Sequence, residues 1–402
     1  MSTTRAPSTR RRRPFAVALA SSTTLVLALT AGFLSGGTTS AAAATCTPSS
    51  QVMRVVEQEL AGQDAAIVVS HRGRFGPNTP ENSIASLQAS AAACDPMIEL
   101  DVKETSDGVP VVMHDYNLGR TTDQGQRRAM FVPETGSGTN PRVDSVTSAT
   151  LSGWRLLSQD RRAVTTEVIP TVSSIYDRYY DDQMQTVLVW DVKSLTAVQS
   201  ITQIVNRDNR TYAGGRSARD ITVMKVNATL FPTYRSYVDA VAGFGMPLPV
   251  IPIYTSNTVS ALAGGPVGSA VASVRTFIDQ RRSDVPSIEV NLKTDRSARE
   301  ALLRDVLEVT EAAGVSTGVF NAVPDYLPDP SKGSYKNTGE CCYTLAALLV
   351  SFQGVTERED RRGDRTFLDS ESFNVITTDQ PDVIRNYFRS IGRYQDRPIV
   401  VP

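Results

Sequence analysis

Short runs of Val, Ile and Leu recur along the chain, and the stretches between them place apolar residues at three- and four-residue steps. The runs predict eight strands, at Ala66–Ser70, Met97–Val102, Val187–Val192, Ile221–Val226, Leu248–Ile253, Ser287–Val290, Ser316–Val319 and Asn374–Thr377. Val111–His114 adds a short hairpin-like piece. The spacing predicts helices over Ala197–Asn206, Thr233–Ala242, Val267–Arg282 and Ala298–Ala313. Strands that are apolar throughout and alternate with amphipathic helices belong to a parallel sheet covered on both faces. Eight of them predict an α/β fold, a (β/α)8 TIM-like barrel.

Two stretches break the rhythm. Residues about 119–165 are rich in Gly, Ser, Thr and Arg; residues about 324–371 are rich in Pro, Gly and charge. Both are expected to be loop insertions, where barrels keep specificity. The first 44 residues differ in another way: they hold five arginines (Arg5, Arg10, Arg11, Arg12, Arg13) and no acid, then an apolar stretch from Phe15 to Phe33, then Ser40-Ala41-Ala42-Ala43-Ala44. This is the layout of a signal peptide, cut after Ala44. The apolar stretch is interrupted by Ser and Thr and falls short of the roughly 20 residues of a clean span, which argues against a membrane anchor. Arg12-Arg13-Pro14-Phe15 leaves the export route, Sec or twin-Arg, undecided. The expectation is a secreted, single-domain barrel over residues 45–402 with no stable membrane span.

The whole chain of 402 residues balances 41 Lys+Arg against 42 Asp+Glu, a net charge of −1. Removing the five leader arginines moves it to −6. That balance gives no reason to seek nucleic acid or anionic lipid. All four cysteines, Cys46, Cys94, Cys341 and Cys342, lie beyond the leader, and an even count in an exported chain predicts two disulfides. Three connectivities are open. Bonding between adjacent Cys341 and Cys342 would strain their peptide link, so each is expected to reach a distant partner.

The candidate chemistry starts from a scarcity: His71 and His114 are the only histidines, and each closes a predicted strand. In a barrel the C-terminal strand ends form the active-site mouth. Two imidazoles there suit acid–base work at neutral pH, one taking a proton from an attacking oxygen and the other supplying one to a leaving oxygen. Glu99 and Asp101 lie two residues apart in an otherwise apolar strand, so both point to one face. Carboxylates that close repel unless a cation lies between them, and oxygen-only ligation favours Mg²⁺ or Ca²⁺. Asp191 and Lys193 share a face in the same way, making Asp191 a candidate third ligand. Arg72 and Lys193 would then meet a phosphate oxygen.

The blocks His71-Arg72-Gly73, Pro80-Glu81-Asn82, Ile98-Glu99-Leu100-Asp101-Val102, Thr105-Ser106-Asp107-Gly108 and Val112-Met113-His114-Asp115 occur in order. Leu118, Arg120-Thr121-Thr122, Ile169-Pro170-Thr171, the Asp191/Lys193 strand and Ile376-Thr377-Thr378-Asp379-Gln380-Pro381 extend the series. With these blocks the chain resembles the glycerophosphodiester phosphodiesterase family across about residues 66–390, densely in the first third. The resemblance implies a TIM-like barrel that hydrolyses glycerophosphodiesters, such as glycerophosphoethanolamine or glycerophosphocholine, to an alcohol and glycerol phosphate. It matches His71 and His114 to the acid–base pair, Glu99, Asp101 and Asp191 to ligands of one divalent cation, Ca²⁺ or Mg²⁺, and Arg72 and Lys193 to phosphate contacts. Glu81 and Asn82 match a block opening the first helix, with a capping role or a substrate contact; Asp107-Gly108 reads as a tight turn. Asp191 stands where many bacterial members carry Glu; Asp is found there in the related sphingomyelinase D-like toxins, whose substrates are choline lipids, which widens the substrate class to lysophospholipids and related choline or ethanolamine lipids. Phe320 is the candidate for an aromatic wall, and 324–371 has no counterpart in the family. A lysophospholipase D-type enzyme and a non-catalytic binding barrel are the alternatives, the first expecting an apolar groove beside the mouth and the second a loss of catalytic residues.

Overall fold

The computed structural model describes residues 46–60, 65–124, 130–294, 298–321, 335–336, 338–341 and 361–394. The proposed leader lies outside them, as does most of the 324–371 insertion. Among the described residues eleven strands follow one another: β1 (Ile67–His71), β2 (Met97–Glu104), β3 (Pro110–Val112), β4 (Arg155–Leu157), β5 (Val164–Val168), β6 (Val187–Val192), β7 (Thr222–Asn227), β8 (Val250–Tyr254), β9 (Ser287–Val290), β10 (Ser316–Asn321) and β11 (Val375–Thr378). Parallel pairing runs β1-β11-β10-β9-β8-β7-β6-β2, and β1 also pairs with β2, which closes the ring. This is the expected (β/α)8 barrel. The hairpin-like piece is β3, antiparallel to β2.

Each barrel strand alternates between a helix-facing and an inward-facing set. Val68, Ile98, Leu100, Leu188, Trp190, Met224 and Ile376 pack outward beneath the helices. Ile67, Val69, Met97, Val187, Val189, Val223, Ile251 and Val375 face inward and form a dry lower layer with Val52, Met53, Val55, Val56 and Leu60. Those last five belong to a helical segment, α1 (Ser49–Arg54) and the π-turn Val55–Glu59 that continues it, which plugs the N-terminal end of the barrel. One step further along the same inward rows the residues turn polar: Val69 is followed by His71, Met97 by Glu99 and Asp101, Val189 by Asp191, and Val223 by Lys225. The barrel is apolar at its plugged end and ionic at its mouth.

The covering helices are α2 (Ile84–Ala92), α4 (Val172–Asp181), α5 (Leu195–Arg207), α6 (Tyr234–Val241), α7 (Ser256–Ala263), α8 (Ala270–Ile278), α9 (Ala298–Ala312), α10 (Arg365–Ser370) and α11 (Pro381–Ser390), with a short α3 (Ser148–Leu151) in the first insertion. The helix expected over 267–282 is shorter because Ser269 caps it, accepting from Ala272 N–H. The 119–165 insertion is more than loop. It holds α3, β4 and the start of β5, and Leu118, Val143, Leu151 and Leu156 pack there with Val111 and Met113. β5 carries three successive polar residues, Thr165, Thr166 and Glu167, between two valines with none fully buried, so no apolar run marks it.

Cys46 and Cys94 form a disulfide, with Cα atoms 5.1 Å apart. It ties the start of the plugging segment to the turn after α2. The expectation that Cys341 and Cys342 each reach a distant partner is thereby corrected, since both distant cysteines are taken by each other. Cys341 is itself disulfide-bonded, and Cys342 lies outside the described residues.

One buried ionic knot joins the first and last barrel units. Asp95, after α2, is 2% exposed and accepts from Arg74 Nε at 2.6 Å and Nη2 at 2.8 Å, from Ser70 Oγ at 2.5 Å, and from Arg385 of α11. Asp95→Asn keeps the shape and removes the charge that three donors converge on. The expected loss is about 3 kcal/mol, read as a lower urea midpoint at unchanged m-value.

Candidate active site

The mouth is built from the ends of β1, β2, β6 and β11 and the turns that follow. Parallel register sets His71 beside Glu99 and Asp101 beside Asp191. After β1 the chain turns through two left-handed residues, Arg72 at φ 56° and Gly73 at φ 74°. A Cβ at Gly73 would stand 2.8 Å from the carbonyl carbon of Ser86, so only glycine fits there. The turn aims Arg72 N–H at Glu99 Oε2, 3.1 Å away.

Each imidazole is held at Nδ1 by a carboxylate. His71 meets Asp379 Oδ1 at 2.6 Å, and His114 meets Asp115 Oδ1 at 2.8 Å. Asp115 is fixed in turn by Arg120 Nε at 2.6 Å. Burial lowers the pKa of both imidazoles; for His114 the Arg72 charge adds to it and the value falls to about 4. In the free protein the His114 ring is therefore neutral at pH 7. Phe320 lies against His71 with ring centroids 4.7 Å apart.

Glu99 and Asp101 are fully buried. Burial, with the neighbouring Asp101 charge, raises the Glu99 pKa; the Asp101 pKa falls because His114, Lys193 and Arg72 outweigh burial. Asp101 Oδ2 lies 3.3 Å from Arg72 Nε, and its Oδ1 is 3.3 Å from Lys193 Nζ, which is also 3.5 Å from Asp191 Oδ2. Arg72 and Lys193 thus lie directly against the carboxylates.

Two acceptors are left over: Glu99 Oε1 and Asp191 Oδ1 are buried and have no hydrogen-bond partner among the described residues. His71, Glu99 and Asp101 offer ligand atoms that all fall within 4.8 Å of one another. A buried His/Glu/Asp group with orphaned carboxylate oxygens fits a hard divalent cation. Asp191 is not in that tight group, yet its orphaned oxygen lies next to Asp101 in the register.

Glu81 and Asn82 neither cap the helix nor stand free for substrate. Ser83 caps α2, accepting from Ser86 N–H. The Asn82 amide instead clamps Asp101, donating to Oδ2 at 3.1 Å and accepting from Asp101 N–H at 3.0 Å. Glu81 bridges Arg72 at 3.2 Å and Arg120 at 2.5 Å, and against burial these two cations hold its pKa down to about 2. Gly108, at φ 75°, makes the expected tight turn. Trp190 is core, donating to Tyr176 Oη at 3.0 Å.

Asp115, Arg120 and Asp379 sit in sequence blocks that give them no role; in the fold they orient the imidazoles. A second pair lies deeper in the barrel, Lys225 Nζ to Glu289 Oε2 at 2.6 Å, and is not among the candidates drawn from the sequence. Its signal is present there, since each residue is a lone charge inside a buried strand.

Residues 71–244 match the model of the "Glycerophosphoryl diester phosphodiesterase family". The likeness to this family's model covers under half of the chain. Glycerophosphodiester phosphodiesterase 1 of Rattus norvegicus is 35% identical over 97 residues, 24% of this chain and 28% of the rat protein. Glycerophosphodiester phosphodiesterase of Bacillus subtilis is 41% identical over 64 residues, 16% of this chain and 22% of that protein. The chain therefore matches under a third of the length of these relatives. Among solved structures, a glycerophosphoryl diester phosphodiesterase from Parabacteroides distasonis shares the fold, with a TM-score of 0.51 at 16% identity, covering 86% of this chain and 93% of that one.

Proposed function

We propose that this chain is a secreted, divalent-cation-dependent glycerophosphodiester phosphodiesterase, a single barrel unit in residues 45–402 behind a cleaved leader. The observation that carries the reading is the pair of imidazoles, each oriented through Nδ1 by its own carboxylate and both within electrostatic reach of Asp101. Glycerophosphodiester phosphodiesterases are what its relatives are named, and the Cys46–Cys94 disulfide suits an oxidising compartment.

In this reading Glu99, Asp101 and Asp191 hold one Ca²⁺ or Mg²⁺, which when bound supplies positive charge against the phosphate. Arg72 and Lys193 turn from the carboxylates to the phosphate oxygens. One of His71 and His114, unprotonated at Nε2, takes the proton from the attacking hydroxyl, and the other, which enters the step as the imidazolium, delivers its Nε2 proton to the departing alkoxide. Asp379 and Asp115 keep each Nδ1 engaged, so that Nε2 is the nitrogen that exchanges protons with substrate. Phe320 limits the room beside His71.

An acyl-bearing substrate would want an apolar groove beside the mouth. Among the described residues, a cavity of about 140 Å³ beside Lys193 is lined by Lys103, Glu104, Arg142 and Asp144 as well as Val102 and Val143, a mainly charged lining that suits deacylated, polar diesters. The test is incubation of the purified protein with glycerophosphoethanolamine, glycerophosphocholine and a lysophospholipid, each with Ca²⁺, Mg²⁺ or chelator, followed by ³¹P NMR. Glycerol phosphate from the deacylated diesters, lost with chelator, is the expected product. Turnover of the lysolipid alone would transfer the assignment to a lysophospholipase D-type enzyme, and no turnover of any would sink it.

A further inference from the structure

The plugged end of the barrel, away from the mouth, carries a cavity of about 370 Å³ bounded by α1, the 3-10 turn Ala218–Ile221 and the starts of β7 and β8. Arg54, Arg216, Arg219 and Arg281 line it together with Glu57, Asp220 and Asp284. Most of these charges are spoken for. Asp220 accepts from Ser217 N–H at 2.8 Å and Oγ at 2.7 Å, Asp284 accepts from Arg281 Nε at 3.0 Å, and Arg219 donates to Met246 O at 3.3 Å.

Arg216 stands out among them. It is 6% exposed, and neither Nη1 nor Nη2 has a hydrogen-bond partner among the described residues. Its backbone closes a tight turn in which Tyr212 N–H donates to Arg216 O at 2.8 Å and Gly215 N–H donates to Tyr212 O at 3.0 Å. Gly214 and Gly215 supply the left-handed conformations, at φ 77° and 78°. Arg216 Nε is anchored on Ala213 O at 2.5 Å. The guanidinium is thus fixed by its inner nitrogen while its outer pair stays unused. An ionised guanidinium buried in this way is costly without an acceptor, and a rigid planar fork matches two oxygens of one oxoanion. Four arginines against three carboxylates leave the lining with an excess of one positive charge, which suits an anion, and the fork geometry of Arg216 suits two oxygens of one oxoanion.

We propose that this cavity is a second, non-catalytic anion site that binds a phosphate-class oxoanion, free phosphate or a terminal phosphate monoester, through Arg216 with Arg54 and Arg219 around it. The site joins α1 to the strand starts, so its occupancy stabilises the plug.

The experiment titrates the purified full chain with inorganic phosphate in chelator, reading site number by equilibrium dialysis and Tm by calorimetry, with sulfate and acetate as comparison anions. Phosphate is expected to bind saturably and raise Tm by about a few degrees, sulfate to do so as well, and acetate not. Arg216→Gln is expected to weaken one class of site by about tenfold or more and to remove the Tm rise, with diester turnover unchanged. Should Arg216→Gln fail to fold, Arg219→Gln decides the matter through a several-fold weakening of the same site. A Tm rise and site number identical in wild type and both variants, or no binding at about 10 mM phosphate, would overturn the proposal and leave Arg216 solvated by cavity water alone. Failure of the diesterase reading would show in turnover, which this measurement does not use to count sites.

Discussion

His114→Ala is expected to lower kcat for glycerophosphoethanolamine or glycerophosphocholine by about 10²–10⁴-fold, with a much smaller change in KM. His71→Ala should do the same. The reasoning runs from position to proton. His114 follows β3, its Nδ1 is occupied by Asp115, and Asp115 is immobilised by Arg120, so the ring cannot turn away from the mouth. His71 has the equivalent support from Asp379. Burial lowers the pKa of both rings, so the one that acts as base is open to accept a proton at Nε2, while the one that acts as acid takes up its proton before the transfer. Because the two act in one transfer, the double variant should be little slower than either single one. Asp115→Asn and Asp379→Asn should give intermediate losses, since the imidazole remains while its orientation loosens. An unchanged kcat in His114→Ala, with thermal unfolding like wild type, would remove the acid–base assignment.

That pair is legible in the amino-acid sequence because histidine is so scarce in this chain, and Glu99, Asp101 and Asp191 are legible because a charge stands out in an apolar strand. The eight strands are legible for a related reason: a strand buried on both faces has to be apolar nearly throughout. What stays hidden depends on closure. Asp379 lies 308 residues from His71 and reaches it only because β11 sits beside β1, with Ser70 opposite Thr378. Helix α2 is hidden because Ile84–Ala92 is mostly Ala and Ser, with a weak apolar stripe, and its role as a support for Arg72 and Asn82 is hidden with it. The Lys225–Glu289 pair carries a readable charge in each strand, but only the barrel brings the two together.

Glu99→Gln is expected to abolish the cation-dependent part of the activity, a loss of about 10²-fold or more, while leaving the metal-free protein at least as stable as wild type. These two effects have one cause. Glu99 is fully buried beside Asp101, its Oε1 has no partner, and burial together with the Asp101 charge raises its pKa above the ordinary 4.5. In the metal-free protein the ionised form is therefore disfavoured on folding. A carboxyl whose pKa is raised by folding binds more protons folded than unfolded as pH climbs from 4.5, so stability contributed by this group falls with rising pH across that window. Glutamine keeps the shape, carries no charge and removes that slope. A divalent cation reverses the penalty in wild type, since it stabilises the ionised pair and binds only the folded state. Calorimetry of wild type and Glu99→Gln, with and without Ca²⁺ or Mg²⁺ between pH 5 and about 8, should show a cation-induced rise in Tm that is largest at high pH in wild type and absent in the variant. A cation-induced rise of equal size in both proteins would place the cation away from Glu99, and the pairing of Glu99 with Asp101 would then need another partner to hold it.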